Sequence, residues 1–229
     1  MNNTINLENA YHVTLPNGLR AMLCQTPEAS ESFVSMAVRA GHFYDPTDCQ
    51  GLAHLLEHML FMGSRHLPKP NAINGFIEQH GGTINAWTGT EYANYHFSCS
   101  GDTIAQTLPA FADMLRQPLF EEDALTNEIK NIHSEFEFKK KDDLRRLYQI
   151  HKETCNPQHP FAKFSVGNSD TFSQHECAEL KRRLKALHQS YYCAQNMRLC
   201  VASPMPIPQL EALVHQCFGT LPSGQLASD

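Results

Sequence analysis

The sequence predicts an α+β domain, with a mostly antiparallel mixed sheet and helices packed on one of its faces. Three observations carry that expectation. Apolar and polar residues alternate over residues 11–15 and 19–25 on either side of an Asn17-Gly18 hairpin signal. After Asp45 and Pro46 the period changes, and Leu52, Leu55, Leu56, Met59 and Leu60 recur at helical spacing. Further strand and helix signals then follow along the chain without an internal repeat or a low-complexity tract, so the strands group with helices between them.

Taken in order, residues 11–15, 19–25 and 33–39 read as three strands, and the Leu52 helix ends at Gly63-Ser64. Residues 71–80 read as a helix closed by Gly81-Gly82, followed by strands over 83–88 and 93–100. A helix is expected over 102–117, with a kink at Pro109, because proline cannot donate to the preceding turn. Residues 121–152 read as one long helix or two in succession, with Ala124, Leu125, Ile129, Ile132, Phe136, Leu144, Leu147 and Tyr148 on the apolar side. Residues 155–170, rich in Pro, Gly and Asn, read as a loop. Residues 175–192, 197–203 and 208–218 read as helix, strand and helix.

At 229 residues the chain can bury a substantial core, and 41% hydrophobic residues place it among globular proteins. A formal charge of −6 with no sustained basic stretch argues against nucleic acid as a partner; Lys139-Lys140-Lys141, followed at once by two aspartates, reads as a solvated helix face. Residues 1–10 are polar and the first apolar stretches are short, so neither a secretory leader nor a membrane span is visible; with Met1 as the native start, the expected compartment is the cytoplasm, with the periplasm as the alternative. The eight cysteines lack paired spacing, which argues for reduced, mostly buried thiols rather than a disulfide framework or a cysteine metal site.

His54-Leu55-Leu56-Glu57-His58 carries the chemistry. Histidines four apart on a helix present their imidazoles on one face about a turn apart, a separation that suits chelation of one small tetrahedral cation. Glu57 borders the same face and is suited to act as general base rather than as ligand. Alone, the pattern is also compatible with two unrelated histidines on a surface or in a core.

The wider segment Gly51-Leu52-Ala53-His54-Leu55-Leu56-Glu57-His58-Met59-Leu60-Phe61-Met62-Gly63 resembles the active-site helix of the pitrilysin and insulin-degrading-enzyme family, the inverted zincins of peptidase family M16. The resemblance runs over roughly residues 10–225 and implies the metallohydrolase fold shared with LuxS and the mitochondrial processing peptidase. In that family a glutamate separated from the second histidine by 76 intervening residues completes the metal site, which here falls on Glu135; taken locally, Glu135 is only one of several acids beside Glu128 and Glu137. The resemblance also implies a role for Glu128 in orienting a ligand or a water. Asn85-Ala86-Trp87-Thr88 resembles the family's substrate-aligning strand, so Asn85, Ala86 and Trp87 are candidate peptide-binding residues; Trp87, the sole tryptophan, reads equally as a core residue. Residues 159–164 with Gly167-Asn168 match a family loop and carry no catalytic assignment.

Two imidazoles and a carboxylate leave a fourth position open, which is the pattern of a catalytic rather than a structural zinc site. One Zn²⁺ per chain is expected, with manganese or cobalt as substitutes in vitro. The expected activity is zinc-dependent endopeptidase hydrolysis of peptides or unstructured polypeptides, with Glu57 taking a proton from water. A non-catalytic binding or assembly subunit of the same fold, or a processing protease for one precursor peptide, are the alternatives. The resemblance implies that residues 1–229 form a single catalytic domain, the first of several, whose partners are a peptide substrate and the remaining domains of a longer parent chain or a partner subunit. A homodimer is a further possibility.

Overall fold

The computed structural model describes residues 10–224; the polar residues 1–9, on which the compartment expectation largely rests, lie outside the described residues. Strands β1 (Ala10–Thr14) and β2 (Arg20–Gln25) form the expected hairpin, closed by Gly18 N–H donating to the Leu15 carbonyl at 2.8 Å. Strands β3 (Glu31–Val38), β4 (Ile84–Thr88), β5 (Ala93–Ser100) and β6 (Met197–Ser203) complete a six-stranded sheet of order β1-β2-β6-β3-β5-β4. Every neighbouring pair is antiparallel except β2 with β6, where the last strand inserts in parallel between the first hairpin and β3.

Alternation along the strands divides the two faces. Val34, Met36 and Val38 of β3, Tyr95 and Phe97 of β5 and Leu199 and Val201 of β6 are buried on one face. Their neighbours on the other face include Ser35, His96 and the exposed Phe33. Among the described residues, α1 (Leu52–Leu60), α2 (Ala72–Gln79), α3 (Ile104–Arg116) and α8 (Ile207–Phe218) meet the sheet, α4 (Glu122–Lys139) and α7 (Cys177–Tyr191) pack against α1, α6 (Ser169–Phe172) packs on α4, and α5 (Asp143–Thr154) packs on a 3-10 turn. Burying each of Leu52, Leu55, Leu56 and Met59 of α1 in this core is worth about 1.5–3 kcal/mol, which fixes the rotation of the helix and hence the direction of its histidines.

Residues 121–152 take the second of the two expected readings, two helices in succession, because the Asp142 side chain accepts from Arg145 N–H at 2.9 Å and caps a new helix start. The break re-aims α5, so Leu144 and Leu147 are 77% and 62% exposed rather than part of the apolar side. The helix expected over 102–117 is α3, with Pro109 inside it and a 3-10 turn over Gly101–Thr103 before it. The expected loop contains a 3-10 turn at Pro160–Ala162 and the start of α6, which Asn168 and Thr171 cap reciprocally. The eight cysteines are free, five of them buried. No helix of the described residues is long and apolar enough to cross a membrane.

Candidate metal centre

The motif helix α1 starts from a constrained turn. Gly51 adopts φ +88°, in the left-handed region that favours glycine, and a side chain there would run into the Gly167 backbone, while one on Gly167 would run into the Phe172 ring. The buried Asp45 carboxylate accepts from Gly51 N–H at 2.8 Å and Ala53 N–H at 2.7 Å, satisfying two of the helix's free amides and complementing its dipole. Burial pushes the Asp45 carboxyl up to about 7, against the two amide bonds and the positive charges of Lys163 and Lys152. Lys163 in turn donates to the carbonyls of Asp45, at 2.7 Å, and Phe43. The Gly51–Gly167 contact brings Val166 over the helix, and His54 Nδ1 lies 2.7 Å from the Val166 carbonyl.

Both histidines are thereby aimed. His54 donates through Nδ1 to Val166, and His58 Nδ1 lies 3.0 Å from Glu128 Oε2, so each ring turns its Nε2 to a common point. Glu135 Oε2, from α4, lies 3.8 Å from His54 Nε2 and 3.5 Å from His58 Nε2, and one ligand atom from each residue falls within 4.8 Å of the other two. Zinc bonds of about 2.1 Å in a tetrahedron place neighbouring ligand atoms roughly 3.4 Å apart, a spacing Glu135 Oε2 already approaches to both imidazoles, so the donor types and their placement fit that ion. Glu128 is itself held, accepting from Asn131 Nδ2 at 2.8 Å through its other oxygen. Lys139, one turn beyond Glu135, forms an ion pair with Glu135 Oε1 and leaves Oε2 facing the histidines.

The protonation states follow from these surroundings. Burial lowers the His54 imidazole to about 4, reinforced by the neighbouring His58, so it is neutral at pH 7 as ligation requires. Burial works the same way on His58, but the hydrogen-bonded carboxylates of Glu128 and Glu135 outweigh it and carry the imidazole up to about 9. Glu135 is held down to about 2, chiefly by its hydrogen bond to His58 and against its partial burial, with Lys139 contributing. Flanked by the two carboxylates, His58 is thus held toward its protonated form, and a metal ion binding here would have to displace that proton.

Glu57 lies beside the centre. Burial raises its carboxyl, opposed by a hydrogen bond that Thr88 Oγ1 donates to Oε2. A cleft of about 300 Å³ opens here, with Glu57, His58, Asn85, Ala86, Glu128 and Asn131 among its walls. Strand β4 is the sheet's edge, paired with β5 on one side and with no strand on the other among the described residues. Of the candidate peptide-binding residues, Asn85 and Ala86 line the cleft, whereas Trp87 is 51% exposed and lies outside it. That exposure removes the core alternative for Trp87. Strand alternation also turns its ring away from the face on which Ala86 and Thr88 meet α1.

Sequence reasoning missed Asp45, Thr88, Lys139 and the Val166 carbonyl. Lys139 had a readable signal, its spacing of four from Glu135 on a helix. Val166 had none of its own, because a carbonyl is common to every residue.

A mixed sheet covered by helices on one face, with an inverted histidine, glutamate, histidine motif on its first long helix, defines a class, the inverted metallopeptidases. Within it, the family model for insulinase (peptidase family M16) matches residues 20–162, and the chain belongs to that family. It is 35% identical to the insulin-degrading enzyme of Bos taurus over 207 residues, covering 89% of this chain and 20% of that protein. It is 34% identical to the A-factor-processing enzyme of Saccharomyces cerevisiae over 215 residues, covering 92% and 21%, and 32% identical to protease 3 of Escherichia coli over 211 residues, covering 92% and 22%. The crystal structure of pitrilysin superposes with a TM-score of 0.90 at 30% identity, covering 100% of this chain and 25% of that one. The chain thus spans about a fifth of the length of these curated relatives.

Proposed function

We propose that the chain is the catalytic domain of a zinc-dependent endopeptidase, with His54, His58 and Glu135 as the zinc ligands and Glu57 as the general base. The observation that supports this best is the convergence of those three ligand atoms beside Glu57 at the foot of the open edge strand β4. Zinc in such a site supplies Lewis-acid polarisation of a water and of the scissile carbonyl. The chain's own residues do the rest. Glu57 accepts the proton of the attacking water and passes it to the leaving amine, and burial raises its carboxyl toward the range suited to both steps. The Val166 carbonyl and Glu128 hold the ligand tautomers. An extended peptide adds to β4 through main-chain hydrogen bonds, with Asn85 and Ala86 at the cleft, so the substrate class is peptides and unstructured polypeptides.

The chain is read as one domain whose substrate enclosure is completed by further domains of a longer chain or by a partner subunit. Cleavage of a fluorogenic peptide library by the zinc-loaded protein tests the activity. Zinc-dependent cleavage that is lost on chelation and restored by zinc is expected; cleavage indifferent to chelator would remove the reading.

A further inference from the structure

The position of the base depends on more than its own helix. Glu57 projects from α1 into the cleft, and its carboxylate receives a hydrogen bond from Thr88 Oγ1, on the last residue of β4. Ile84, Ala86 and Thr88 alternate onto the face that meets α1, and Thr88 alone of these three carries a side-chain donor. The backbone just beyond it is fixed independently of Glu57. Gly89 N–H donates to the Tyr92 carbonyl at 2.8 Å, and the Gly89 carbonyl accepts from His42 N–H at 3.0 Å and lies 2.9 Å from His42 Nδ1. Phe43 N–H donates to the Thr90 carbonyl at 2.9 Å, so the 3-10 turn at His42–Tyr44 pins this corner from below.

We infer that Thr88 is a positioning residue for the general base: its hydroxyl holds Glu57 Oε2 from the end of the peptide-aligning strand and leaves Oε1 as the atom that receives the water's proton. The inference rests on the peptidase reading above. It ties two jobs of one strand together, because the element that registers the peptide backbone also fixes the base, and their relative placement is set by a few residues of β4. A hydrogen-bonded carboxylate with one committed oxygen has lost most of its rotational freedom before substrate arrives. Such placement matters because a base misplaced by about 1 Å costs on the order of 100-fold in rate.

The test compares Thr88→Val, which keeps the shape and removes the donor, with Thr88→Ser, which keeps the donor, and with Glu57→Gln. Turnover of a fluorogenic peptide, zinc content and the fluorescence of Trp87, the sole tryptophan, on titration with an uncleaved extended peptide are measured for each. Thr88→Val is expected to lose 10- to 100-fold in kcat with KM, zinc content and the Trp87 titration within twofold of the parent. Thr88→Ser should regain most of the rate. Parental kcat in Thr88→Val overturns the inference, as does a rate loss matched by lost zinc or peptide binding that serine fails to rescue. Parental activity in Glu57→Gln would instead overturn the peptidase reading beneath it. A crystal structure of zinc-loaded Thr88→Val gives a readout that needs no turnover: the Glu57 carboxylate should have turned while His54, His58 and Glu135 stay in place, and an unmoved carboxylate overturns the inference.

Discussion

Replacing Glu128 by Gln should weaken zinc binding by an amount that depends on pH. Glu128 Oε2 lies 3.0 Å from His58 Nδ1 and the side chain is buried, so glutamine fits the space and removes the charge. Two consequences oppose each other. Losing a carboxylate partner behind a ligating histidine costs about 10- to 100-fold in metal affinity. Yet the same carboxylate, with Glu135 and against burial, carries His58 up to about 9. Near pH 7 a proton held two pH units above ambient weakens the parent's apparent affinity about 100-fold, or about 2.7 kcal/mol. The variant returns part of that competition, since Glu135 still holds the proton from the other side. Near pH 7 the two effects largely cancel, leaving affinity within about tenfold of the parent; near pH 9.5, where the proton is already gone, the full loss of about 10- to 100-fold emerges. Chelator-buffered zinc titrations at the two pH values measure both. Equal losses at both, or parental affinity near pH 9.5, would refute the reasoning.

Glu57→Gln should keep zinc and lose peptide hydrolysis, whereas Glu135→Gln should lose zinc itself; elemental analysis beside a peptidase assay separates the two, and parental activity in zinc-loaded Glu57→Gln would show that another group is the base. Together the two motif histidines of the metal-free chain should stabilise it most near pH 6.5, with the buried Asp45, raised to about 7, working against His54 below that pH. His58, raised to about 9, contributes stability that is full below about 6.5 and lost as pH climbs through about 9, no more than about 3 kcal/mol. His54, lowered to about 4, contributes stability that is full above about 6.5 and lost as pH falls through about 4. Thermal melts in chelator of the parent against His54→Ala and His58→Ala isolate the two: the parent's advantage over His58→Ala should shrink as pH climbs toward 9 and its advantage over His54→Ala as pH falls toward 4, and pH-independent differences would contradict the assigned charge states. Finally, this chain should hold zinc as well as a longer form that includes further domains but turn over peptide at least about 100-fold more slowly, because ligation needs only α1 and α4 while turnover needs the peptide enclosed. Equal molar activity at equal zinc content would show the domain to be self-sufficient.

What the sequence made legible was local. Periodicity located β5 and β6 to the residue, and it placed the motif histidines and Glu57 on α1 because Leu52, Leu55, Leu56 and Met59 had to face a core. The parallel insertion of β6 between β2 and β3 was not readable, since strand pairing is a long-range choice that no window of residues encodes. Whether α4 and α5 are one helix or two stayed open in the sequence, because Leu144 and Leu147 keep a helical period through the break and read as buried; Asp142, as a cap, marks it. At the site, residue types that announce chemistry were found and groups that support them were not. Val166 acts through a carbonyl delivered by the Gly51–Gly167 contact, which joins segments more than a hundred residues apart. Lys139 sat inside a lysine run that read as solvent-facing, yet its ammonium pairs with Glu135. Thr88 stood in the quoted strand motif, but its hydroxyl gained a partner only when β4 folded against α1.

X-ray absorption at the zinc edge of the loaded chain tests the central claim most directly. The account predicts one zinc per chain with nitrogen and oxygen neighbours only, two imidazoles among them at about 2.0–2.1 Å, and the loss of one imidazole or of the metal in either His54→Ala or His58→Ala. A sulfur neighbour at about 2.3 Å, or an unchanged spectrum and stoichiometry in both variants, would place the metal elsewhere and contradict it.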